Sequence, residues 1–276
     1  MNLIIQGNEV ATADLKHLAK LAGATAIESI APNAFRLVGA NTVPEVAPYC
    51  EQKELDCAFI PEGRKLADFR LVVMDMDSTL ITIECIDEIA DFMGLKPQVA
   101  AITAAGMRGE IDFKESLRQR VDLLEGADEN ALARVYEERL RLSPGADPLL
   151  ARLRELRIKT LLVSGGFTFF TDRLAQRLGL DYTRSNTLEI SDGRLTGRVV
   201  GEIVDGAGKL AALEHVRGEL GLKKEQVIGI GDGANDIPFL VASGVSIAYH
   251  AKPVVRAQAT YALNFAGLDG VLNLFN

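Results

Sequence analysis

The chain of 276 residues has no tryptophan, three cysteines and three histidines, and only 6% of its residues are aromatic. Three cysteines cannot all pair, and Cys50, Cys57 and Cys85 lack metal-type spacing. This argues against a disulfide-built secreted scaffold and for a reducing compartment, the cytoplasm. No apolar run approaches the roughly 18 residues that span a bilayer. Met1-Asn2-Leu3-Ile4-Ile5 has no basic region before its short apolar stretch, which argues against a signal peptide. Positive charge is scarce as well. With 30 Lys and Arg against 38 Asp and Glu the net charge is −8, and neither end of the chain is a basic tail. Nucleic acid and anionic membrane are therefore not expected as partners. Internal repeats and low-complexity segments are missing too, which removes solenoids and propellers. What is left, 48% hydrophobic and 25% charged residues, is a globular chain long enough for one large or two smaller domains.

The pattern divides into two parts. Up to Pro61 it reads as a strand at Leu3–Gln6, a helix at Thr12–Ala22, strands near Thr25–Ile30 and Phe35–Val38, a helix near Val43–Lys53 and a strand near Asp56–Ile60. The order β-α-β-β-α-β is that of a small α+β ferredoxin-like domain. Pro61-Glu62-Gly63-Arg64-Lys65 punctuates the chain as a linker. Beyond it, short continuous apolar runs at Leu71–Met74, Thr160–Val163, Val227–Ile230 and Val245–Ala248 alternate with helical patterns. Strands buried on both faces read this way, so the fold class is α/β: a doubly wound, Rossmann-like parallel sheet. A crossover needs little more than about a dozen residues. The long helical stretch after the first run is therefore read as a helical cap inserted at about 84–145. A hairpin is expected at Thr187–Glu202, around Ser191-Asp192-Gly193. The boundaries read 1–63 for the first domain and 66–276 for the second.

Ligands bind such sheets beyond the carboxyl ends of the strands, and three strand ends carry chemistry. The first reads Asp75-Met76-Asp77-Ser78-Thr79. Two carboxylates two residues apart can share a site if a hard divalent cation offsets their repulsion, although a solvated acidic loop has the same letters. The second reads Val163-Ser164-Gly165-Gly166-Phe167, offering a hydroxyl and bare backbone N–H groups to an anion. An ordinary flexible turn would look alike. The third reads Gly231-Asp232-Gly233-Ala234-Asn235-Asp236, again acidic and glycine-rich. Lys209 is expected to open a helix, Lys209–Leu220, where a cation opposes the helix dipole unless an anion compensates. Together these pieces suit phosphoryl transfer, which rests on alignment and on neutralising oxygens.

The set Asp-x-Asp-x-Thr, strand-Ser, Lys and Gly-Asp-Gly-x-Asn-Asp, in this order from about Leu71 to the C-terminus, resembles the haloacid dehalogenase superfamily. The wording around Asp75–Leu80 with Glu84, Val163–Phe167 and Gly231–Asp236 looks specifically like the phosphoserine phosphatases. That resemblance implies Mg²⁺-dependent hydrolysis of O-phospho-L-serine, the last step of serine biosynthesis. Asp75 would be the nucleophile, forming an aspartyl-phosphate, and Asp77 the general acid and base. Asp75, the Asp77 carbonyl and Asp232 would hold Mg²⁺, with Asp236 in support. Ser164, Gly165 and Lys209 would hold phosphoryl oxygens, and Asn235 would orient phosphate or its neighbours. In the cap, Glu84 would meet the substrate ammonium, Arg120 its carboxylate, and Met107 and Phe113 would close over it. The N-terminal domain is similar to ACT-type modules, which pair side by side, so a homodimer is one implication.

The same chemistry could serve another phospho-amino acid such as phosphothreonine, or a phosphotransferase; Glu84 together with Arg120 favours an amino-acid head. Asp87, Glu88, Glu137 and Glu138 read as solvated helix faces, and Cys85 as a packed small side chain. His17, His215 and His250 have no partner at ligand spacing.

Overall fold

A computed structural model describes residues 1–275. The N-terminal segment runs β1 (Asn2–Gly7), α1 (Thr12–Ala22), β2 (Ala26–Ala31), β3 (Ala34–Val38), α2 (Val46–Gln52) and β4 (Leu55–Ile60). Next come β5 (Leu71–Met74), α3 (Cys85–Phe92), α4 (Lys96–Met107), α5 (Phe113–Asp122), α6 (Asn130–Arg134) and α7 (Ala146–Glu155). The alternating part continues with β6 (Lys159–Phe167), α8 (Thr168–Leu178), β7 (Tyr182–Ser191), β8 (Arg194–Val200) and α9 (Gly206–Glu219). It ends with β9 (Val227–Gly231), α10 (Ile237–Ala242), β10 (Val245–Tyr249), α11 (Pro253–Arg256), β11 (Tyr261–Leu263) and α12 (Gly270–Leu274). The residues group into two compact units: Met1–Val72, Ser143–Lys159 and the chain from Leu222 on; and Val73–Leu142 with Thr160–Gly221. The class is α/β, as the sequence predicts. Among the described residues no helix is long and apolar enough to cross a membrane.

In the first unit β1 to β4 form an antiparallel sheet of order β2-β3-β1-β4. Side chains alternate across a strand. Leu3 and Ile5 of β1 therefore share a core with Leu15 and Leu18 of α1 and Val46 and Cys50 of α2, while Ile4 and Gln6 face the other way and are also buried. Gln6 donates to the Gly270 carbonyl at 3.1 Å and accepts from Asn273 at 2.7 Å, which ties the sheet to α12. Asp56 of β4, 3% exposed, accepts from the backbone N–H groups of Asn264, Phe265 and Ala266 at 2.6, 3.1 and 2.8 Å. Helix α2 starts three residues later than the sequence predicts. Pro44 biases Val43 away from the helical region, so the chain turns before it coils. The parallel strands of this unit run in the order β11-β10-β9-β5; β9 and β10 are buried at every residue, which accounts for their unbroken apolar runs.

In the second unit the order is β5-β6-β7-β8, with β6 parallel to β7 and β8 closing an antiparallel hairpin. The helical insert leaves and returns side by side. Ile81 and Leu142 pair as an isolated bridge, and the Thr82 N–H meets the Arg141 carbonyl at 3.0 Å. Beyond α5 the chain is stitched to the hairpin by Gly126 N–H to Leu195 O at 2.8 Å and Leu195 N–H to Ala127 O at 2.9 Å.

Candidate active site

In the second unit the site is built at the ends of β5 and β6 and the start of α9. Asp75 directly follows β5 in an extended conformation, and its Oδ1 accepts the Met76 N–H at 2.6 Å. Its Oδ2 lies 2.8 Å from Nζ of Lys209. Contrary to the sequence expectation, Lys209 does not open its helix. Helix α9 begins at Gly206 with Asp205 as N-cap, whose carboxylate accepts the Gly208 N–H at 2.9 Å. Lys209 thus sits in the first turn, fully buried, where the Asp75 carboxylate offsets both its desolvation and its unfavourable place on the helix dipole.

Two residues on from Asp75, Asp77 belongs to the turn that follows β5. It keeps extended angles inside the turn Met76–Leu80, and Ser78 then adopts a left-handed φ of 55°. Asp77 Oδ1 accepts the Cys85 N–H at 2.9 Å, and its Oδ2 lies 3.4 Å from the Ser164 hydroxyl. Ser164, buried at 0% exposure, also accepts the Gly166 N–H at 2.8 Å. Both glycines are closely approached by side chains. A Cβ on Gly166 would lie 2.8 Å from Asp77 Oδ2 and 2.9 Å from Met76 Cε, and one on Gly165 would lie 2.8 Å from the Phe113 ring. Phe113 thereby rests its ring on the loop.

The remaining insert residues face each other electrostatically. Glu84 is the N-cap of α3 and accepts the Ser78 hydroxyl at 2.8 Å. It keeps a water-facing side, yet burial and then the Asp77 carboxylate push its carboxyl up to about 7, against the opposing pull of Ser78 and Arg120. Arg120, half-buried in the last turn of α5, donates to the Ser116 carbonyl at 3.2 Å. Burial lowers its pKa, while the Glu84, Asp87 and Asp77 carboxylates oppose that.

In the first unit the turn after β9 is held by Asp236, fully buried, whose Oδ2 accepts the N–H groups of Asp232 at 3.0 Å and Gly233 at 2.9 Å. Asp232 and Asn235 are half-buried.

Residues 72–241 match the family model of haloacid dehalogenase-like hydrolases, and residues 3–46 match that of a domain of unknown function. A phosphoserine phosphatase of Polaromonas sp. strain JS666 is 57% identical over 215 residues, which cover 76% of this chain and 91% of the relative. The chain belongs to the phosphoserine phosphatase family of haloacid dehalogenase-like hydrolases. Two solved structures are similar to this family member over long stretches. The unliganded probable phosphoserine phosphatase from Vibrio cholerae has a TM-score of 0.86 at 37% identity, covering 99% of this chain and 86% of that one. A phospho-aspartyl intermediate analogue of phosphoserine phosphatase has a TM-score of 0.71 at 34% identity, covering 75% of this chain and 99% of that one.

Of the residues that the sequence singles out in this hydrolase, Asp75, Asp77, Ser164, Gly165, Lys209 and Phe113 come together around the ends of β5 and β6. Met107 ends α4 at 65% exposure. Two expectations need correction. Glu88 is 13% exposed and holds Lys96 and Arg139, each at 2.9 Å, and Asp87 is half-buried, so neither is a solvated face. Glu137 and Glu138 are exposed.

Asn186 escapes the sequence reading. It is 1% exposed, donates to the Gly165 carbonyl at 2.8 Å and accepts the Val204 N–H at 2.8 Å, joining the Ser164 loop to the entry of α9. Its one signal is a turn-forming amide at the edge of the expected hairpin.

Asp75 in the second unit, and Asp232 and Asp236 in the first, each offer carboxylate oxygens to a metal. Hard oxygen donors without thiolate or imidazole fit Mg²⁺.

Proposed function

We propose that the chain hydrolyses O-phospho-L-serine to L-serine and phosphate through an aspartyl-phosphate on Asp75, with Mg²⁺ as cofactor. The observation that carries this reading is the Asp75 carboxylate at the end of β5, paired on one oxygen with the buried Lys209, on the strand next to β6, which carries Ser164 and its glycines. Such a cradle suits a tetrahedral oxyanion. The relatives named phosphoserine phosphatase, and the neighbour described as a phospho-aspartyl intermediate analogue, support the same choice.

In this reading an Asp75 oxygen attacks phosphorus in line and the bond from phosphorus to the serine oxygen breaks. Asp77 gives that leaving oxygen a proton. Its Oδ1 is already occupied by the Cys85 N–H, so Oδ2 is the oxygen that carries the proton. Asp77 then takes a proton from the water that attacks the phosphoenzyme, and Asp75 is restored as phosphate leaves. Ser164, the Gly165 N–H and Lys209 hold the phosphoryl oxygens, and Asn235 orients the phosphate. Asp75, the Asp77 carbonyl and Asp232 would hold Mg²⁺, with Asp236 in support. Bound there, Mg²⁺ supplies neutralisation of phosphoryl charge. Glu84 receives the substrate ammonium and Arg120 its carboxylate, with Phe113 and Met107 covering the head. This reading sets the enzyme at the last step of serine biosynthesis in the cytoplasm. Residues 66–276 form its catalytic domain and residues 1–63 an ACT-like pairing module.

The test is phosphate release from phosphoserine, phosphothreonine and a sugar phosphate, each with Mg²⁺ and with EDTA. Release from phosphoserine alone that EDTA stops is expected. Equal release from all three would keep the phosphatase and remove the substrate assignment.

A further inference from the structure

We propose that Lys114 and Asp205 form a latch that registers the helical insert on the phosphate cradle during turnover, an inference that rests on the phosphatase reading above. Two consecutive residues in the first turn of α5 touch the two arms of that cradle. Phe113 lays its ring on Gly165, at the end of β6, and Lys114 places Nζ 3.3 Å from Oδ2 of Asp205, at the start of α9. The Asp205 carboxylate divides its oxygens: Oδ2 meets the insert, while Oδ1 accepts the Gly208 N–H at 2.9 Å and so caps the turn that carries Lys209. One carboxylate therefore joins the position of the insert to the position of the lysine that faces Asp75. The Gly208 N–H and the Lys114 ammonium both lower the Asp205 pKa, which keeps it anionic and able to serve both partners. Asn186 ties the same two arms to each other through its side-chain amide. Lys114 is 47% and Asp205 22% exposed. A pair this open to water is weak and screened by salt.

The experiment is steady-state kinetics with phosphoserine on K114Q, D205N and the double variant. Asn keeps an oxygen for the Gly208 N–H, so D205N removes the charge and retains the cap. Each single variant is expected to raise KM about two- to five-fold, the range of a half-exposed ion pair, without lowering kcat. The double variant is expected to be no worse than either single one. Added salt should raise the wild-type KM more than that of K114Q, because only the wild type has the ion pair to screen as well as the substrate contacts. Additive effects, or an unchanged KM in K114Q, would overturn the latch. Should D205N fail to fold, K114E replaces it, and its KM must exceed that of K114Q because it sets like charges together. Wild-type protein inactive on phosphoserine would instead refute the substrate reading. The latch is then read by hydrogen exchange of the amides in the first turn of α5, faster in K114Q if the latch exists and equal if it does not.

Discussion

Oδ2 of Asp75 lies 2.8 Å from Nζ of Lys209, and neither group is open to water, at 6% and 0% exposure. Removing one member of such a pair leaves the other as an uncompensated buried charge, at about 3–5 kcal/mol. Lys209→Met is therefore expected to lower stability to urea by about that amount. Asp75→Asn in the same chain should recover part of the loss, because the carboxylate that faced Lys209 is then neutral. Neither variant should form a phosphoenzyme. A double variant as unstable as the sum of the two single ones would show that the pair is not what couples them.

The approach of Asp77 to Gly166 gives a second prediction. A methyl group on Gly166 would sit 2.8 Å from Asp77 Oδ2 and must displace it. Misplacing a general acid–base typically costs at least about 10²-fold in rate, so Gly166→Ala should lose that much kcat on phosphoserine while remaining folded. A good leaving group needs no proton. On p-nitrophenyl phosphate the variant should give a burst of one nitrophenol per enzyme, followed by slow turnover. Normal turnover without a burst would exclude this role for Asp77.

The legible part of the molecule is the part where chemistry and periodicity coincide. Asp75, Asp77, Ser164 and the two glycines stand at the ends of apolar runs, and the alternation of such runs with helices gives the α/β class. What escapes is set by contacts remote in sequence. Asn186 reads as punctuation, and only the folded chain shows its amide between Gly165 and Val204, 21 and 18 positions away. Glu88 has the letters of a solvated helix face, but Arg139, 51 residues later, covers it. The late start of α2 follows from a local rule about Pro44. Strand β11, with three residues, is too short to show any period.

The Glu84 carboxyl supports a prediction about pH. With its folded value pushed up to about 7, above an ordinary 4.5, the ionised form is the one the fold disfavours. Two consequences follow. The anion that would receive the substrate ammonium is lost as pH falls through about 7, so KM for phosphoserine should rise below that pH, while Glu84→Gln shows a high KM with little pH dependence between 6 and 8. The folded state also binds the extra proton between 4.5 and about 7, so this group lowers stability progressively as pH rises through that window. Glu84→Gln should accordingly melt above wild type at pH 8 and equal it at pH 4.5. A variant less stable than wild type at pH 8 would contradict the upward shift.

Asn186 carries the last prediction. Its amide satisfies one half-buried acceptor and one buried donor at 2.8 Å each, and those two groups belong to the arms that carry Ser164 and Lys209. Asn186→Ala would leave both unpaired, at about 1–3 kcal/mol for each buried group left without a partner. Loss of stability alone would mark a structural residue. If the amide also sets the spacing of the two arms, affinity for inorganic phosphate as a product inhibitor should fall about ten-fold or more, because a shift of about 1 Å in such a cradle can cost 10²-fold. Asn186→Asp separates the two effects. It keeps an acceptor for the Val204 N–H but turns a second acceptor toward the Gly165 carbonyl, so the β6 arm is repelled while the α9 arm is held. Phosphate inhibition at wild-type strength in both variants would reduce Asn186 to packing.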